Sequence, residues 1–133
     1  IDLFTKYKRN KDLILYACTS AYPVETKDTC LLEIPRLIEK YKRKNLAMDI
    51  GFSGHHKGIA LDIAAYALGA NYIERHFTLD RTWKGTDHSA SLEPDGIRRL
   101  KRNLEETFKA LKYKNQEILE VEIASRNKLK YKN

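Results

Sequence analysis

Three short apolar runs, each followed by a helical pattern, constrain the fold of this chain more than any other feature. The runs cover residues 13–18, 46–52 and 71–77, and each is short enough for a strand. They are almost continuously apolar at their starts, which is typical of strands buried on both faces of a parallel sheet. Parallel neighbours need crossover connections, so the pattern predicts an α/β fold with parallel strands.

The segments after these runs predict the crossover helices. Apolar residues share one helical face in 34–41, where Pro35 stands at the predicted first helical position. Residues 58–68 are Ala-rich, and Gly69 follows as a natural helix stop. The third helix is predicted over 94–111, with apolar residues at a spacing of three to four.

The chain length of 133 residues fits one domain. Three parallel strands alone leave two open edges and one uncovered face, so either further residues complete the sheet or the chain associates with itself, and we expect the former. The first residue is not Met, and we expect the chain to start within a longer protein. Residues 113–133 have lower periodicity and many Lys and Asn, which predicts a connecting segment.

Composition and charge limit the expected cellular location of the protein and the class of its binding partners. The net charge is +7, but no stacking-aromatic, zinc-finger or helix-turn-helix pattern accompanies it, so we do not expect nucleic-acid binding. No apolar stretch has the length of a membrane span, and the polar, basic start does not match a signal peptide. Two cysteines make no disulfide framework. We therefore expect a cytoplasmic protein without membrane contact.

Polar residues follow each predicted strand, where parallel α/β folds place their sites. His55 and His76 end consecutive runs, about 4.8 Å apart if the strands are neighbours. Two imidazoles at that separation can share a metal ion, or each can cap a loop by hydrogen bonding. Spacing alone leaves both interpretations open. His56 and His88 are interpreted as loop residues without a role.

Other polar residues at this edge also have two interpretations. Ser20 and Ser53 can help to cradle a phosphate or carboxylate, or serve ordinary turns and caps. Asp87 can bind sugar hydroxyls or close an Asx-turn. Glu74 can pair with Arg75 or ligate an ion. The residues alone therefore predict a metal-assisted site for a small anionic or polyhydroxyl substrate. Cys18 is predicted to be a buried strand residue rather than a nucleophile.

Five motifs carry a resemblance to a known family. They are CTSAYP at 18–23, GFSGH at 51–55, ALGA at 67–70, IERHFTLD at 73–80 and WKGTDHSASLEP at 83–94. In this order and spacing they resemble the N-acetylneuraminate (sialic acid) synthase family. The resemblance implies that residues 1–112 are the C-terminal portion, about three βα units, of a TIM (β/α)8 barrel. It implies that residues 113–133 lead towards a C-terminal antifreeze-like domain.

The resemblance also implies an activity. Family members condense phosphoenolpyruvate with an N-acylated amino sugar, such as N-acetylmannosamine or its 6-phosphate, and release phosphate. They use a divalent ion, Mn²⁺ or Mg²⁺, and form homodimers. The family's metal ligands match His55 and His76, which with Asp87 are the expected catalytic residues. The expected phosphoenolpyruvate contacts are Ser20 and Ser53, and the expected amino-sugar contacts are Tyr22 and Asp87.

Alternatives within and outside this activity stay open. A related synthase would make legionaminic, pseudaminic or a spore-coat nonulosonic acid, and a non-catalytic carbohydrate-binding module would keep the fold alone. In the family, earlier barrel strands supply lysines and a glutamate for the substrates. Those strands are outside these 133 residues, so we expect the chain by itself to be inactive.

Overall fold

A computed structural model describes residues 1–129, and it contains one parallel sheet of three strands. The strands are β1 (Ile14–Cys18), β2 (Asp49–Gly54) and β3 (Tyr72–Arg75), in the order β1-β2-β3. β2 pairs in parallel with both neighbours. The predicted α/β class with parallel strands is therefore confirmed.

Helices follow each strand as predicted, and further helices lie at both ends of the described chain. No helix among residues 1–129 is long and apolar enough to cross a membrane. The helices are α1 (Asp2–Lys6), α2 (Glu33–Leu37, continuing as a π-helical turn over Ile38–Lys42), α3 (Ala60–Ala67), α4 (Pro94–Ala110) and α5 (Glu120–Leu129).

The boundaries of α2 and α3 show how the sequence sets them. α2 begins at Glu33, so Pro35 is its third residue rather than its first. The first four amides of a helix have no intrahelical partner, so a proline is tolerated anywhere in that turn. Gly69 follows α3 with φ +105°, and a Cβ there would lie 2.8 Å from Ile38 Cδ1. Gly69 is thus the predicted helix stop, for both conformational and steric reasons.

β2 and β3 differ in their ends from the predicted runs. Residues 46–48 form a turn, in which the amides of Leu46 and Ala47 donate to the carbonyl of Tyr41. β2 consequently starts three residues later than predicted and includes Ser53 and Gly54. β3 ends at Arg75, so His76 lies just beyond the strand.

Helices cover one face of the sheet in the described chain. Ile50 and Phe52 of β2 are fully buried against α2 and α3, together with Ala17, Ile34 and Ala65. Burial of this apolar face is the main stabilising contribution that the sequence provides.

The opposite face, which we call the open face, consists of Tyr16, Cys18, Ser53, Tyr72 and Glu74. The strand register aligns Tyr16 and Tyr72 across Gly51, and Cys18 and Glu74 across Ser53. Tyr16, Cys18 and Tyr72 are exposed. The expectation that the strands are buried on both faces, and Cys18 with them, is therefore wrong for residues 1–129.

The segment after α4 contains more regular structure than its composition indicated. Residues 112–119 form neither helix nor strand, and α5 follows them. Whether the segment 113–133 leads to another domain stays a prediction, and its last positions, 130–133, lie outside the described residues.

Candidate functional site

The sheet brings His55 and His76 together at its carboxyl edge. Each histidine directly follows a strand, and the preceding residues, Gly54 and Arg75, are register partners across β2 and β3. The two imidazole ring centres are 5.0 Å apart, and the ring planes are inclined at 80°. The two histidines predicted to share an ion therefore lie side by side.

Tyr22 packs against both imidazoles from the loop after β1. Its ring centre lies 4.5 Å from that of His55 and 5.5 Å from that of His76. The loop passes through a cis Tyr22–Pro23 peptide bond. The amide of Val24 then donates to the carbonyl of His55 over 3.0 Å, which fixes the loop to the end of β2. The loop after β1 and the ends of β2 and β3 thus each contribute one aromatic ring to a single cluster.

Hydrogen bonding determines which nitrogen of His55 is available to a ligand. Its Nδ1 lies 3.1 Å from the carbonyl oxygen of Thr19. A carbonyl can only accept, so Nδ1 carries the proton and the lone pair is on Nε2. Nδ1 of His76 faces the carboxylate of Asp87, with 3.7 Å to Oδ2. Metal-bound histidines commonly have such partners behind the ligating nitrogen.

The donor set fits a single ion held by two imidazoles. Two rings bound side by side, with nitrogen–metal bonds of about 2.1 Å, have centres on the order of 5 Å apart, which agrees with the observed separation. Within residues 1–129 no group of three or more His, Cys, Asp or Glu side chains surrounds one point. The separation of the two rings is thus compatible with one shared ion, and no third such side chain joins them within residues 1–129.

Ser53 and Glu74 lie on the open face next to the histidines. Ser53 Oγ donates to Glu74 Oε1 over 2.8 Å, and Ser53 is buried. Ser20 is exposed, with its Oγ 3.7 Å from Cys18 Sγ. Of the two alternatives for Glu74, the pairing with Arg75 is not observed: successive strand residues point to opposite faces, and Arg75 pairs with Asp62.

Asp87 lies in the loop between β3 and α4. Its carbonyl accepts from the hydroxyl of Ser91 over 2.7 Å, and its carboxylate accepts from the hydroxyl of Thr86 over 2.9 Å. The carboxylate forms no Asx-turn within the described residues, and its side chain is about half exposed. Asp87 therefore presents a half-exposed carboxylate beside His76. His88, by contrast, is held in the loop by Thr78, with 2.8 Å between Nδ1 and Oγ1.

Sequence reasoning missed a buried polar cluster behind the site. Arg75 and Asp62 form an ion pair, with 2.6 Å between Nη1 and Oδ2, and both side chains are at most 2% exposed. His56 joins them, with its Nε2 3.4 Å from the same carboxylate oxygen. A signal was present, because Asp62 stands alone among the apolar residues of 58–68 and a buried charge needs a partner.

Comparisons with known proteins show which family the chain resembles. The sequence model of the NeuB family matches residues 1–116. The N-acetylneuraminate-9-phosphate synthases of Mus musculus and Homo sapiens are each 44% identical over 120 residues, covering 90% of this chain and 32% of theirs. The N,N'-diacetyllegionaminic acid synthase of Campylobacter jejuni is 37% identical over 103 residues, covering 77% of this chain and 29% of that protein.

A solved structure shows the same fold. The sialic acid synthetase of Leptospira borgpetersenii, crystallised with citrate, superposes with a TM-score of 0.76 at 36% identity. The match covers 98% of this chain and 45% of that one. The chain spans about a third of the length of the curated relatives it matches. The family match extends over most of the chain and includes every strand of the sheet, so the chain belongs to the NeuB family.

Proposed function

We propose that this chain forms the metal-binding part of a synthase that condenses phosphoenolpyruvate with N-acetylmannosamine or its 6-phosphate. The product is N-acetylneuraminate or its 9-phosphate, and phosphate is released. The single observation that carries the proposal is the pair of neighbouring imidazoles at the carboxyl edge of the sheet. The identity of 44% to two N-acetylneuraminate-9-phosphate synthases supports the phosphorylated pair of substrate and product.

The proposal includes a larger architecture. We infer that residues 1–112 are about three βα units from the C-terminal portion of a TIM (β/α)8 barrel. The open face of the sheet is then the barrel interior, which accounts for exposed Tyr16, Cys18 and Tyr72 on a strand surface. In such barrels the site lies at the carboxyl ends of the strands, where His55 and His76 are found.

The proposed ion is Mn²⁺ or Mg²⁺, held by the two imidazole nitrogens and by oxygen ligands, which both ions prefer. Since Nε2 of His55 is the available nitrogen, the ion is expected on that side of the ring. When bound, the ion supplies Lewis-acid polarisation of the open-chain sugar aldehyde.

The chain's own residues bind and orient the substrates around this centre. Asp87 has a half-exposed carboxylate that can accept from a sugar hydroxyl, and Tyr22 packs against His76, which faces Asp87. Ser20 is exposed, and its hydroxyl, which contacts Cys18 Sγ, can donate to the phosphoenolpyruvate anion. Ser53 already donates to Glu74, so it can serve the anion only after exchanging that hydrogen bond. We therefore assign Asp87 and Tyr22 to the sugar, and Ser20 and Ser53 to the anion.

The proposed reaction balances with phosphoenolpyruvate, the open-chain sugar and water as its only reactants. Carbon 3 of phosphoenolpyruvate forms the new carbon–carbon bond with the aldehyde carbon, and the aldehyde oxygen takes a proton. Water adds at carbon 2, and the resulting tetrahedral centre expels inorganic phosphate to leave the 2-keto acid. The described residues supply hydrogen bonds and charge for these steps, and the remaining contacts are assigned to other parts of the barrel.

A related synthase is the second candidate, because the C. jejuni legionaminic acid synthase is 37% identical. The two activities differ in the N-acyl sugar that is accepted. Product mass spectrometry on the complete enzyme separates them: a product from N-acetylmannosamine or its 6-phosphate supports the first proposal. A product formed only from a diacetylated sugar supports the second.

The metal site is tested by titrating the chain with Mn²⁺ and following free Mn²⁺ by electron paramagnetic resonance. We expect one bound ion in the wild type and loss of binding in the His55→Ala, His76→Ala double variant. His88→Ala is the matched control, since the His88 ring is held by Thr78 and makes no ring contact with His55 or His76 among the described residues. Unchanged binding in the double variant would remove the metal from the proposal and leave a carbohydrate-binding module as the better interpretation.

Activity of the chain alone is a separate test. Since the family's phosphoenolpyruvate lysines are outside these 133 residues, we expect no phosphate release from phosphoenolpyruvate and N-acetylmannosamine. Phosphate release at a rate dependent on Mn²⁺ would refute that expectation.

A further inference from the structure

Arg75 makes more hydrogen bonds than a buried ion pair requires. Besides Asp62, its Nη1 donates to the carbonyl of Gly58 over 2.8 Å, and its Nη2 donates to the carbonyl of His56 over 2.7 Å. Nη2 also contacts the carbonyl of Ala90 at 3.4 Å. One guanidinium therefore connects the end of β3 to the turn before α3 and to the loop before α4.

These partners stand next to the residues of the candidate site. His56 follows His55, Arg75 itself precedes His76, and Ala90 lies three residues after Asp87. The guanidinium thus ties together, by their main chains, the three segments that carry the two imidazoles and the carboxylate.

Asp62 and Gly54 keep the guanidinium in place. Asp62 is fully buried on α3, and its Oδ2 accepts from Nη1 of Arg75. A Cβ on Gly54 would lie 3.0 Å from both Arg75 Cδ and Asp62 Oδ1, so the absence of a side chain there allows the pair to reach the strand end. Lys in place of Arg75 would keep the charge but lose the planar fork that reaches several carbonyls at once.

We propose that Arg75, held by Asp62, is a positioning residue that sets the geometry of His55 and His76 from behind. The proposal rests on the proposed function for its ligand, a divalent ion, but it concerns the arrangement of the imidazoles themselves. Partners behind metal-binding histidines commonly change metal affinity tenfold or more when removed.

The experiment compares Arg75→Lys with the double variant Asp62→Asn, Arg75→Met, which removes both buried charges and keeps a similar volume. Arg99→Lys is the matched control, because Arg99 is an exposed helix residue paired with Asp95. Circular dichroism reports folding, and urea unfolding reports stability. Nuclear magnetic resonance of the metal-free chain reports the imidazole signals of His55 and His76, and Mn²⁺ titration reports affinity.

We expect the imidazole signals of His55 and His76 to shift or broaden in both Arg75 variants, with about tenfold or greater loss of Mn²⁺ affinity, while Arg99→Lys changes neither. If Arg75→Lys does not fold, the double variant decides alone. A folded double variant with wild-type imidazole signals and affinity would overturn the proposal and leave Arg75 a stabilising role only. If the wild type binds no Mn²⁺, the proposed function fails, and the metal-free imidazole signals still decide the positioning role.

Discussion

Polar side chains have different partners on the two sides of the sheet's carboxyl edge, although the consecutive residues His55 and His56 lie on opposite sides. His55 belongs to the cluster with His76 and Tyr22, whereas His56 is buried with Asp62 and Arg75 on the helix-covered side. On the covered side each charge is paired, since an unpaired buried charge is costly. Beside the open face, Nε2 of His55 has no hydrogen-bond partner among the described residues, and the carboxylate of Asp87 is half exposed. Polar residues thus form a buried ion pair on one side, and on the other they lie where we propose that a ligand binds.

The largest expected effect is on the covered side. Asp62→Asn removes the charge that compensates the buried guanidinium of Arg75. Breaking one partner of a buried ion pair costs about 3–5 kcal/mol in the free energy of unfolding. Urea unfolding followed by circular dichroism measures it. Asp95→Asn on the exposed start of α4 is the control and should change stability little. Equal effects of the two variants would show that burial does not distinguish these pairs.

A smaller effect separates the two adjacent histidines. His56→Ala removes a buried ring, so we expect a loss of about 1–3 kcal/mol in the free energy of unfolding. We expect Mn²⁺ affinity to stay within about threefold, because the main-chain carbonyl that Arg75 binds is retained. His55→Ala should abolish Mn²⁺ binding. Calorimetric titration of both variants with Mn²⁺ measures these affinities. Loss of Mn²⁺ binding in His56→Ala alone would show that His56, and not His55, holds the ion.

The same comparison shows why the open-side residues could be found from sequence. Strand ends in a parallel sheet meet at one edge, so two histidines after neighbouring runs were predicted to be close, and they are. Period and spacing predicted the alternation of strands and helices along the chain, whereas the adjacency of the strands was a condition that the structure supplies. Tyr22 was placed through the family motif alone, because nothing in its spacing fixes a loop against the rings.

The covered cluster could not be predicted as readily. Its members are 56, 62 and 75, which lie in a turn, a helix and a strand, and only tertiary packing brings them together. The predicted run also ended at Phe52, two residues before the end of β2, so Ser53 was not recognised as a strand residue that points to the open face. Likewise, whether the open face is exposed depends on which other segments pack on it. Apart from the isolated Asp62, local patterns do not indicate which residues meet in the cluster or which segments pack on the open face.

The amino edge of the sheet provides a third polar cluster for comparison, around Asp49. Partial burial raises the pKa of Asp49, but hydrogen bonds from Lys42, Asn71 and the amide of Ile50 outweigh it, and the pKa lies below its usual value. A lowered folded-state pKa contributes stability above the unfolded value of about 3.9, and this is lost as pH falls through the folded value.

We therefore expect Asp49→Asn to flatten the fall in stability below about pH 4. The variant should also lose about 1 kcal/mol at neutral pH, because hydrogen bonds to a charged group are weakened. Urea unfolding at a series of pH values measures both. Asp95→Asn is again the exposed control. An unchanged acid dependence in Asp49→Asn would show that the acid sensitivity lies elsewhere.

The smallest expected effect is electrostatic and concerns the open face itself. Burial raises the pKa of Tyr16, and the charges of Glu74 and Tyr72 raise it further. Glu74→Gln removes a negative charge that disfavours the phenolate, so we expect the pKa of Tyr16 to fall while staying above its usual value. Ser53→Ala is the control, because it removes the hydrogen bond to Glu74 and keeps the charge. Ring signals of Tyr16 followed by magnetic resonance over an alkaline titration measure the shift. If neither variant changes the pKa of Tyr16, solvent screens the carboxylate of Glu74. Glu74 then has no electrostatic effect in the space where the anionic substrate is proposed to bind.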